Sequence, residues 1–263
     1  MLDLSHSSRA ARGVPLDERM AAQDRVADLN TRYRHFGTSY LLEAVLTRGI
    51  FDRIAMVSSF GADSAVLLHL IAQIDRNLPV LFIDTTLLFE ETLIYQQELA
   101  AHLGLTNVQV IRAKPQTLDA VDPYGALRFS NPDACCDLRK TRPLNDALEG
   151  YDAWITGRKR FQSGDRAALE FFEAGDLRIK VNPLAHWAPA DVADYMDNNK
   201  LPRHPLVAQG YPSIGCAPCT SRVAPGDDPR SGRWRGKEKT ECGIHFTARG
   251  AERGTASGAV VAG

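Results

Sequence analysis

The stretch IAMVSSFGADSAVLLHL, residues 54–70, decides the fold class of this chain. Its first part, Ile54–Ser58, is a short apolar run that predicts a buried strand, and Ala65–Ile74 predicts an apolar helix. The turn between them is small and polar, as in loops that hold phosphate at a helix N-terminus, although an ordinary capped turn is the alternative. Glycine at position 61 permits a positive φ or a close backbone approach. We therefore predict a phosphate-binding loop formed by Ser58, Ser59, Phe60, Gly61, Asp63 and Ser64.

Strands and helices alternate outward from this unit. The further predicted strands are Val80–Ile83, Val108–Ile111, Ala153–Thr156 and Ile179–Val181. The further predicted helices are Leu16–Tyr33, Tyr40–Leu46, Glu91–Leu103 and Pro189–Asp197. Because this alternation is typical of βαβ units, we predict an α/β fold: a single domain with a mainly parallel twisted sheet flanked by helices.

Sequence texture divides the chain into four regions. Residues 1–50 are rich in helix formers and predict an N-terminal helical cap on the α/β core, 51–205. Residues 206–246 lose the periodicity and become rich in Pro, Gly, Cys and Arg, which predicts a functional C-terminal segment laid over the core. The Gly- and Ala-rich residues 247–263 predict a flexible tail.

Composition narrows the class of function. Of the 263 residues, 44% are hydrophobic and 24% are charged, and the formal net charge is −1, which argues against bulk nucleic-acid binding. No apolar run approaches the roughly 20 residues that a membrane helix needs, and the N-terminus lacks the apolar part of a secretory signal. We therefore expect a cytoplasmic protein without a membrane partner.

The five cysteines divide into four and one. Cys135 and Cys136 are adjacent, Cys216 and Cys219 form a C-x-x-C, and Cys242 stands alone. Disulfides are not expected in a reducing compartment, and four thiolates suit zinc or an iron–sulfur cluster. Adjacent cysteines are unusual zinc ligands, whereas a larger cluster can meet them at two iron atoms. The alternative is a buried, purely structural pair beside a separate zinc site.

The solitary Cys242 lies in a basic, glycine-containing segment, KTECGIH, residues 239–245. Nearby cations lower a thiol's pKa and so favour the nucleophilic thiolate. His245 is a neighbour if the segment is helical. The alternative is an inert cysteine in a solvated basic stretch.

Cations follow both the paired cysteines and the fourth predicted strand. Arg139 and Lys140 come directly after the pair, and TGRKRFQS, residues 156–163, begins where the strand ends. Arginine matches sulfate and phosphate oxygens with a planar fork, and lysine acts as a point charge. Loop charges are usually solvated, so position alone is weak support for a binding role.

These motifs together resemble one enzyme family. SSFGADSAVLLHL is similar to the modified P-loop of the ATP-pyrophosphatase-like, or adenine nucleotide alpha hydrolase-like, proteins. The CC…CxxC pattern resembles the [4Fe-4S] site of assimilatory adenylyl-sulfate reductases, which the related phosphoadenylyl-sulfate reductases mostly lack. KTECGIH looks like the catalytic E-C-G-[LI]-H signature of both branches. The resemblance spans Phe36 to Phe246 and departs from the family at Thr86 and Glu90, where glycine and proline are usual.

The resemblance implies a role for each matching residue. Cys135, Cys136, Cys216 and Cys219 would bind the cluster, and Cys242, His245 and Lys140 would be catalytic. The family's T-G-x-R-x-x-Q-S string and its two arginines before the nucleophile imply that the substrate is bound by Arg139, Thr156, Gly157, Arg158 or Arg160, Gln162, Arg230 and Arg233.

The implied reaction belongs to sulfate assimilation and cysteine biosynthesis. Cys242 would attack adenylyl sulfate, AMP would leave, and a dithiol donor such as thioredoxin (or glutaredoxin) would release sulfite from the cysteine S-sulfonate. The enzyme is a possible homo-oligomer. One alternative is 3′-phosphoadenylyl sulfate as the substrate, or both nucleotides. More remote alternatives are an iron–sulfur tRNA-thiolating enzyme with the same loop and a non-catalytic iron–sulfur sensor of nucleotides.

Overall fold

A computed structural model describes residues 15–175 and 178–236. In the described part the strands are β1 Ile54–Ser58, β2 Val80–Ile83, β3 Val108–Ile111, β4 Ala153–Ile155, β5 Phe172–Ala174 and β6 Ile179–Val181. The longer helices are α1 Leu16–Tyr33, α2 Thr38–Thr47, α3 Ser64–Ala72, α4 Glu90–Leu103 and α9 Pro189–Asn198. Short helices are α5 Pro115–Val121, α6 Leu127–Ser130, α7 Pro132–Cys136, α8 Arg142–Ala147 and α10 Pro205–Ala208.

The strands form one sheet in the order β3-β2-β1-β4-β6-β5. All neighbouring pairs are parallel except β5 and β6, which are antiparallel, with Glu173 opposite Lys180. The predicted α/β fold with a mainly parallel sheet is therefore confirmed. The chain leaves β1 toward β2 on one side and later returns to β4 on the other. In such open sheets, ligands bind outside the carboxyl ends of the strands at this reversal.

The sheet is covered on both faces. On one face, α3 buries nearly all of its residues, and Phe60 meets Phe82 edge to face at 5.3 Å between ring centroids. On the other, Leu144 and Leu148, in and after α8, pack on Trp154. The continuous apolar runs of β1 and β2 follow from this double coverage, because a strand buried on both faces has no polar side.

The N-terminal helix α1 packs on the edge of the sheet. The Asn30 side chain accepts a hydrogen bond from Phe172 N and donates one to Phe172 O, each at 2.9 Å, as a neighbouring strand would. Tyr33 adds a ring contact to Phe172 at 5.9 Å. The helix thus closes an edge that would otherwise be open for pairing.

Several boundaries differ from those predicted. Strand β4 ends one residue earlier, at Ile155, and α3 begins at Ser64. Strand β5 and the short helices between β3 and β4 were not predicted, because they carry too few residues for a recognisable period. Among the described residues, no helix combines the length and apolar character needed to cross a bilayer.

Candidate active site

The predicted phosphate loop lies at the carboxyl end of β1. The left-handed residue of its turn is Phe60, with φ 47°, so the first of the two roles open to Gly61, a positive φ, belongs to its neighbour. Phe60 N donates to Ser58 Oγ at 3.2 Å, and the phenyl ring is fully buried. The Phe60 ring therefore packs in the core and does not line the cavity beside this loop, and the part of Phe60 in the predicted phosphate loop stays a prediction. Gly61 instead permits a close approach, since a Cβ there would lie 3.3 Å from Ser59 Oγ and 3.5 Å from Ile214 O.

A cavity of about 270 Å³ opens beside this loop, between the ends of β1 and β4. It is bounded by the P-loop, by the segment after β4 and by residues 212–215 and 228–234. The predicted site residues that line it are Ser58, Ser59, Gly61, Asp63, Ser64, Lys140, Thr156, Gly157, Arg158, Gln162, Arg230 and Arg233. The structure thus brings together residues that lie more than 170 positions apart in the sequence.

Arg158 lines the cavity, but its guanidinium is engaged by the protein. It makes a short ion pair with Glu173 of β5, and it donates to Asn182 Oδ1 at 3.1 Å and to Thr156 Oγ1 at 3.3 Å. Asn182 is fully buried and also receives a hydrogen bond from Thr156. This network fixes the floor of the cavity and neutralises much of the charge of Arg158.

Lys159, which the sequence analysis did not select, is the most deeply buried cation of this segment, 1% exposed. Its Nζ lies 3.1 Å from Asp63 Oδ2 and donates to Gly157 O at 3.2 Å. Burial lowers the pKa of Lys159, and the Asp63 carboxylate opposes that shift. The pair therefore joins the P-loop to the loop after β4. The sequence did point to this residue, because Lys159 occupies the arginine position when the T-G-x-R string is counted from Thr156.

Arg160 does not line the larger cavity, so its position favours Arg158 among the two alternatives for this string. It donates to Leu169 O at 2.7 Å and to Glu170 Oε1 at 2.8 Å, and its side chain is partly exposed. Arg166, also unpredicted, lines the cavity and donates to Gln162 Oε1. Consecutive residues of this irregular loop therefore have different roles.

The four predicted ligand cysteines line a second, smaller cavity. Cys135 and Cys136 end α7, where a π-helical turn, Asp137–Thr141, begins. Cys216 caps the start of a 3₁₀ turn, Ala217–Cys219, and Cys219 is its last residue. Cys216 is held by a bridge to Leu88 and by Thr85 Oγ1, 3.2 Å from its sulfur. Among the described residues, no group of three or more His, Cys, Asp or Glu side chains has the arrangement of a single-ion site. The four cysteines instead line one common cavity, called the cysteine cavity below.

Arg139 lies on the wall of the cysteine cavity and not in the larger one, so its position gives no support to the predicted contact with substrate. It pairs with Asp122 at 3.0 Å and donates to Thr86 Oγ1 at 2.8 Å. Burial alone would raise the pKa of Asp122, but hydrogen bonds from Leu127 N and Arg139 bring it below its ordinary value. Burial raises the pKa of Cys135, and Arg139 partly opposes this.

Lys140 lines both cavities. The sequence placed it as a bridge between the cysteines and the bound anion, and its location in the structure fits that expectation. The π-helical turn carries Lys140 four residues beyond Cys136. Such turns are rare and occur mostly at functional sites.

Arg230 and Arg233 belong to the stretch of residues 228–234, called the arm below, which pairs with the C-x-x-C turn. Ser221 N donates to Gly232 O at 2.8 Å, and Thr220 bridges Arg233. Arg230 and Arg233 of this arm both face the larger cavity. The predicted catalytic residues Cys242 and His245 lie outside the described residues.

Comparison with known proteins identifies relatives of this arrangement. Residues 53–222 match the model of the phosphoadenosine phosphosulfate reductase domain. An adenosine 5′-phosphosulfate reductase of Mesorhizobium japonicum is 54% identical, with 90% of this chain and 95% of the relative aligned. A phosphoadenosine 5′-phosphosulfate reductase of Gloeobacter violaceus is 40% identical over 78% of this chain and 86% of the relative.

Solved structures extend the comparison. The phosphoadenylyl-sulfate reductase of Candida auris, solved with phosphate, has a TM-score of 0.64 and 26% identity, and the match covers 76% of this chain and 97% of that one. An FMN adenylyltransferase of Candida glabrata shares the fold at 14% identity, with a TM-score of 0.51 and coverage of 84% and 85%.

Proposed function

We propose, from the premise that this chain belongs to the phosphoadenosine phosphosulfate reductase domain family, that it is an oxidoreductase that reduces adenylyl sulfate to sulfite and AMP. Relatives that are 54% and 51% identical over nine-tenths of this chain carry the name adenosine 5′-phosphosulfate reductase. The observation that carries the proposal is that Lys140 lines both a nucleotide-sized, cation-rich cavity and a cavity bounded by four cysteines.

The larger cavity suits a nucleotide that carries two joined anionic groups. Ser58, Ser59 and the backbone around Gly61 offer donors at the end of β1, next to the N-terminus of α3. Lys140, Arg230 and Arg233 supply positive charge from three separate segments. Their convergence offsets the repulsion when an anionic substrate meets a thiolate.

The four cysteines fit an iron–sulfur cluster. They share one cavity, and the buried Nε of Arg139 on its wall has no acceptor among the described residues, as expected where cluster or thiolate sulfur would accept. We propose that Cys135, Cys136, Cys216 and Cys219 hold a [4Fe-4S] cluster. Such a cluster would supply a fixed local charge beside Lys140.

The chemical step needs a nucleophile, and Cys242 is the remaining cysteine. Its thiolate attacks the sulfur of adenylyl sulfate, the bond from sulfur to the phosphate oxygen breaks, and AMP leaves with that electron pair. Lys140, Arg230 and Arg233 hold the sulfate and phosphate oxygens during this transfer. The product is an S-sulfonate on Cys242.

Release of sulfite requires two electrons from outside the chain. A donor thiolate attacks Sγ of Cys242, and sulfite leaves with the electron pair of the sulfur–sulfur bond. The second donor thiol then frees Cys242 and leaves the donor as a disulfide. We propose a dithiol protein of the thioredoxin or glutaredoxin class. The cytoplasmic location and the possible homo-oligomer stay predictions.

The proposal is tested by mass spectrometry of the anaerobically purified chain after mixing with adenylyl sulfate in the absence of reductant. We expect one sulfonate adduct, mapped to Cys242, and one equivalent of AMP. The Cys242→Ser variant is the matched control, because it should retain iron and bind nucleotide yet form no adduct. An adduct elsewhere, or sulfite production that survives in Cys242→Ser, would refute the assignment and favour a non-catalytic or different role for this residue.

Substrate choice is a separate question, because relatives named for both nucleotides match this chain. The four cysteines favour adenylyl sulfate. Initial rates with adenylyl sulfate and with 3′-phosphoadenylyl sulfate, each with the same dithiol donor, distinguish the two. A higher kcat/KM for the 3′-phosphorylated nucleotide would overturn the preference while leaving the chemistry intact.

A further inference from the structure

The indole of Trp234 lies against the cations at one wall of the larger cavity. The Arg233 guanidinium carbon is 4.4 Å from the ring centroid, and that of Arg230 is 5.9 Å away. Trp234 is only 4% exposed. Because a guanidinium is attracted to the face of an aromatic ring, a buried indole at this place restricts where the two charges can lie.

The backbone of Trp234 is held in an unfavourable conformation. Its φ of 48° is in the left-handed region, which bulky side chains rarely adopt. Trp234 N donates to Cys219 O at 3.1 Å, which anchors the arm to the C-x-x-C turn. The arm also lies close to that turn at Gly232, where a Cβ would lie 2.2 Å from Ser221 O. The contacts of this arm therefore compensate for the strain at Trp234.

Arg233 is confined on its other side by the backbone of the cysteine loop. Its Nη1 donates to Ile214 O at 3.2 Å, and a Cβ at Gly215 would overlap its Nη2. Its buried Nε has no hydrogen-bond acceptor within residues 15–175 and 178–236. A buried guanidinium donor is best satisfied by an anionic oxygen, and the cavity is where such an oxygen would bind.

We infer that Trp234 is a positioning residue, which holds Arg230 and Arg233 toward the anionic phosphate and sulfate end of the substrate and anchors them to the Cys216–Cys219 turn. The inference rests on the proposed function, since it assigns these arginines to the anion of the nucleotide. Trp234 acts through the two guanidinium groups and not by stacking on the adenine ring.

The test compares the equilibrium binding of AMP and of adenosine to the full-length, anaerobically purified chain. Trp234→Ala should weaken AMP binding about tenfold, because the charge-assisted hydrogen bonds from Arg230 and Arg233 to the phosphate of AMP would be lost or distorted. Adenosine, which lacks the anion, should bind with unchanged affinity. Trp234→Phe retains an aromatic face and should restore most of the AMP affinity. Trp187→Ala removes a half-buried indole outside the cavity and controls for general destabilisation.

A double-mutant cycle separates positioning from a general structural role. In an Arg233→Ala background, Trp234→Ala should weaken AMP binding only about threefold or less further, because Arg230 is the one positioned group that remains. If the losses from Trp234→Ala and Arg233→Ala simply multiply, the inference is overturned. It is also overturned if Trp234→Ala weakens adenosine binding as much as AMP binding, because that result indicates direct stacking on the adenine ring. Failure of the unmodified chain to prefer AMP over adenosine would instead count against the proposed function itself, and the inference would fall with it.

Discussion

Replacing His204 by asparagine should remove a pH dependence of stability that the structure builds into the segment before the cysteine loop. His204 is 1% exposed and caps α10. Leu206 N donates to its Nδ1 at 3.2 Å, and its Nε2 lies 3.1 Å from Thr92 Oγ1. Since Nδ1 accepts, the proton of the neutral ring is on Nε2, and a second proton would break the bond to Leu206. The Tyr95 ring, 4.7 Å away, covers the remaining face.

The magnitude follows from the shift in pKa. Burial lowers the pKa of His204 from 6.5 to about 4, although Glu91 raises it slightly. The unfolded chain therefore binds this proton at a higher pH than the folded protein. The stability that the neutral ring contributes is fully present above pH 6.5 and is lost as the pH falls toward 4. At pH 4.5 the loss from this one residue is about 2.5 kcal/mol.

The assay is urea unfolding of the unmodified chain and of His204→Asn at pH 7.5 and at pH 4.5. Asparagine can still accept from Leu206 N but does not titrate in this range. Between the two pH values, the unmodified chain should lose about 2.5 kcal/mol more than the variant, because the carboxylates common to both cancel. His102→Asn, on the exposed face of α4, is the matched control and should follow the unmodified chain. Parallel profiles for His204→Asn and the unmodified chain would refute the reasoning.

Three further predictions concern the site and its supports. Lys140→Ala should slow single-turnover sulfonation of Cys242 at least about tenfold with unchanged iron content. Arg142→Ala, on the exposed end of the same turn, is the control and should not slow it. Equal rates for Lys140→Ala and the unmodified chain would contradict a bridging role. Thr86 has φ 61°, and its hydroxyl accepts a hydrogen bond from Arg139. In urea unfolding, Thr86→Gly should be about 1 kcal/mol more stable than Thr86→Ala, because glycine relieves the backbone strain. Thr86→Ser should have the stability nearest to that of the unmodified chain. Glu173→Gln should cost about 3 kcal/mol of unfolding free energy, since it removes the carboxylate that pairs with the buried Arg158 guanidinium. A loss under about 1 kcal/mol would show that this ion pair is dispensable.

The predictability of the fold varied with the kind of signal. The runs that became β1, β2 and β3 were located to the residue. In β1 and β2 the signal was the continuous apolar sequence of buried parallel strands, whereas β3 is an edge strand whose run, VQVI, is half-buried or exposed and was recognised by its β-branched residues. Gly104 was expected to end α4 and has φ 67°, as a C-terminal glycine should. Strand β5 could not be predicted, because three residues, FEA, have no period. It exists through pairing with β6 and with the side chain of Asn30, which is 142 residues away.

The site was predictable as a set of segments but not residue by residue. The carboxyl ends of β1 and β4 must meet at one edge of a parallel sheet, so the segments that follow them were certain to converge. The different roles of Arg158, Lys159 and Arg160 could be assigned only once their carboxylate partners were known. Glu173, Asp63 and Glu170 direct the three side chains to three different places. Those acids lie up to 96 residues from their partners, beyond the reach of any local pattern.

The two cavities also differ in how the protein compensates charge. Near the larger cavity, Arg158 and Lys159 already have carboxylate partners, so much of their charge is cancelled before any ligand binds. Lys140 is placed between two sites that both favour anions, and two anions on opposite sides of one lysine repel each other but share its attraction. The charge of Lys140 stabilises an anion at each site separately, while the two anions repel each other whether or not the lysine is present. Lys140 therefore raises the affinity of each site for its anion, and removing its charge should weaken anion binding at both the cysteine cavity and the larger cavity.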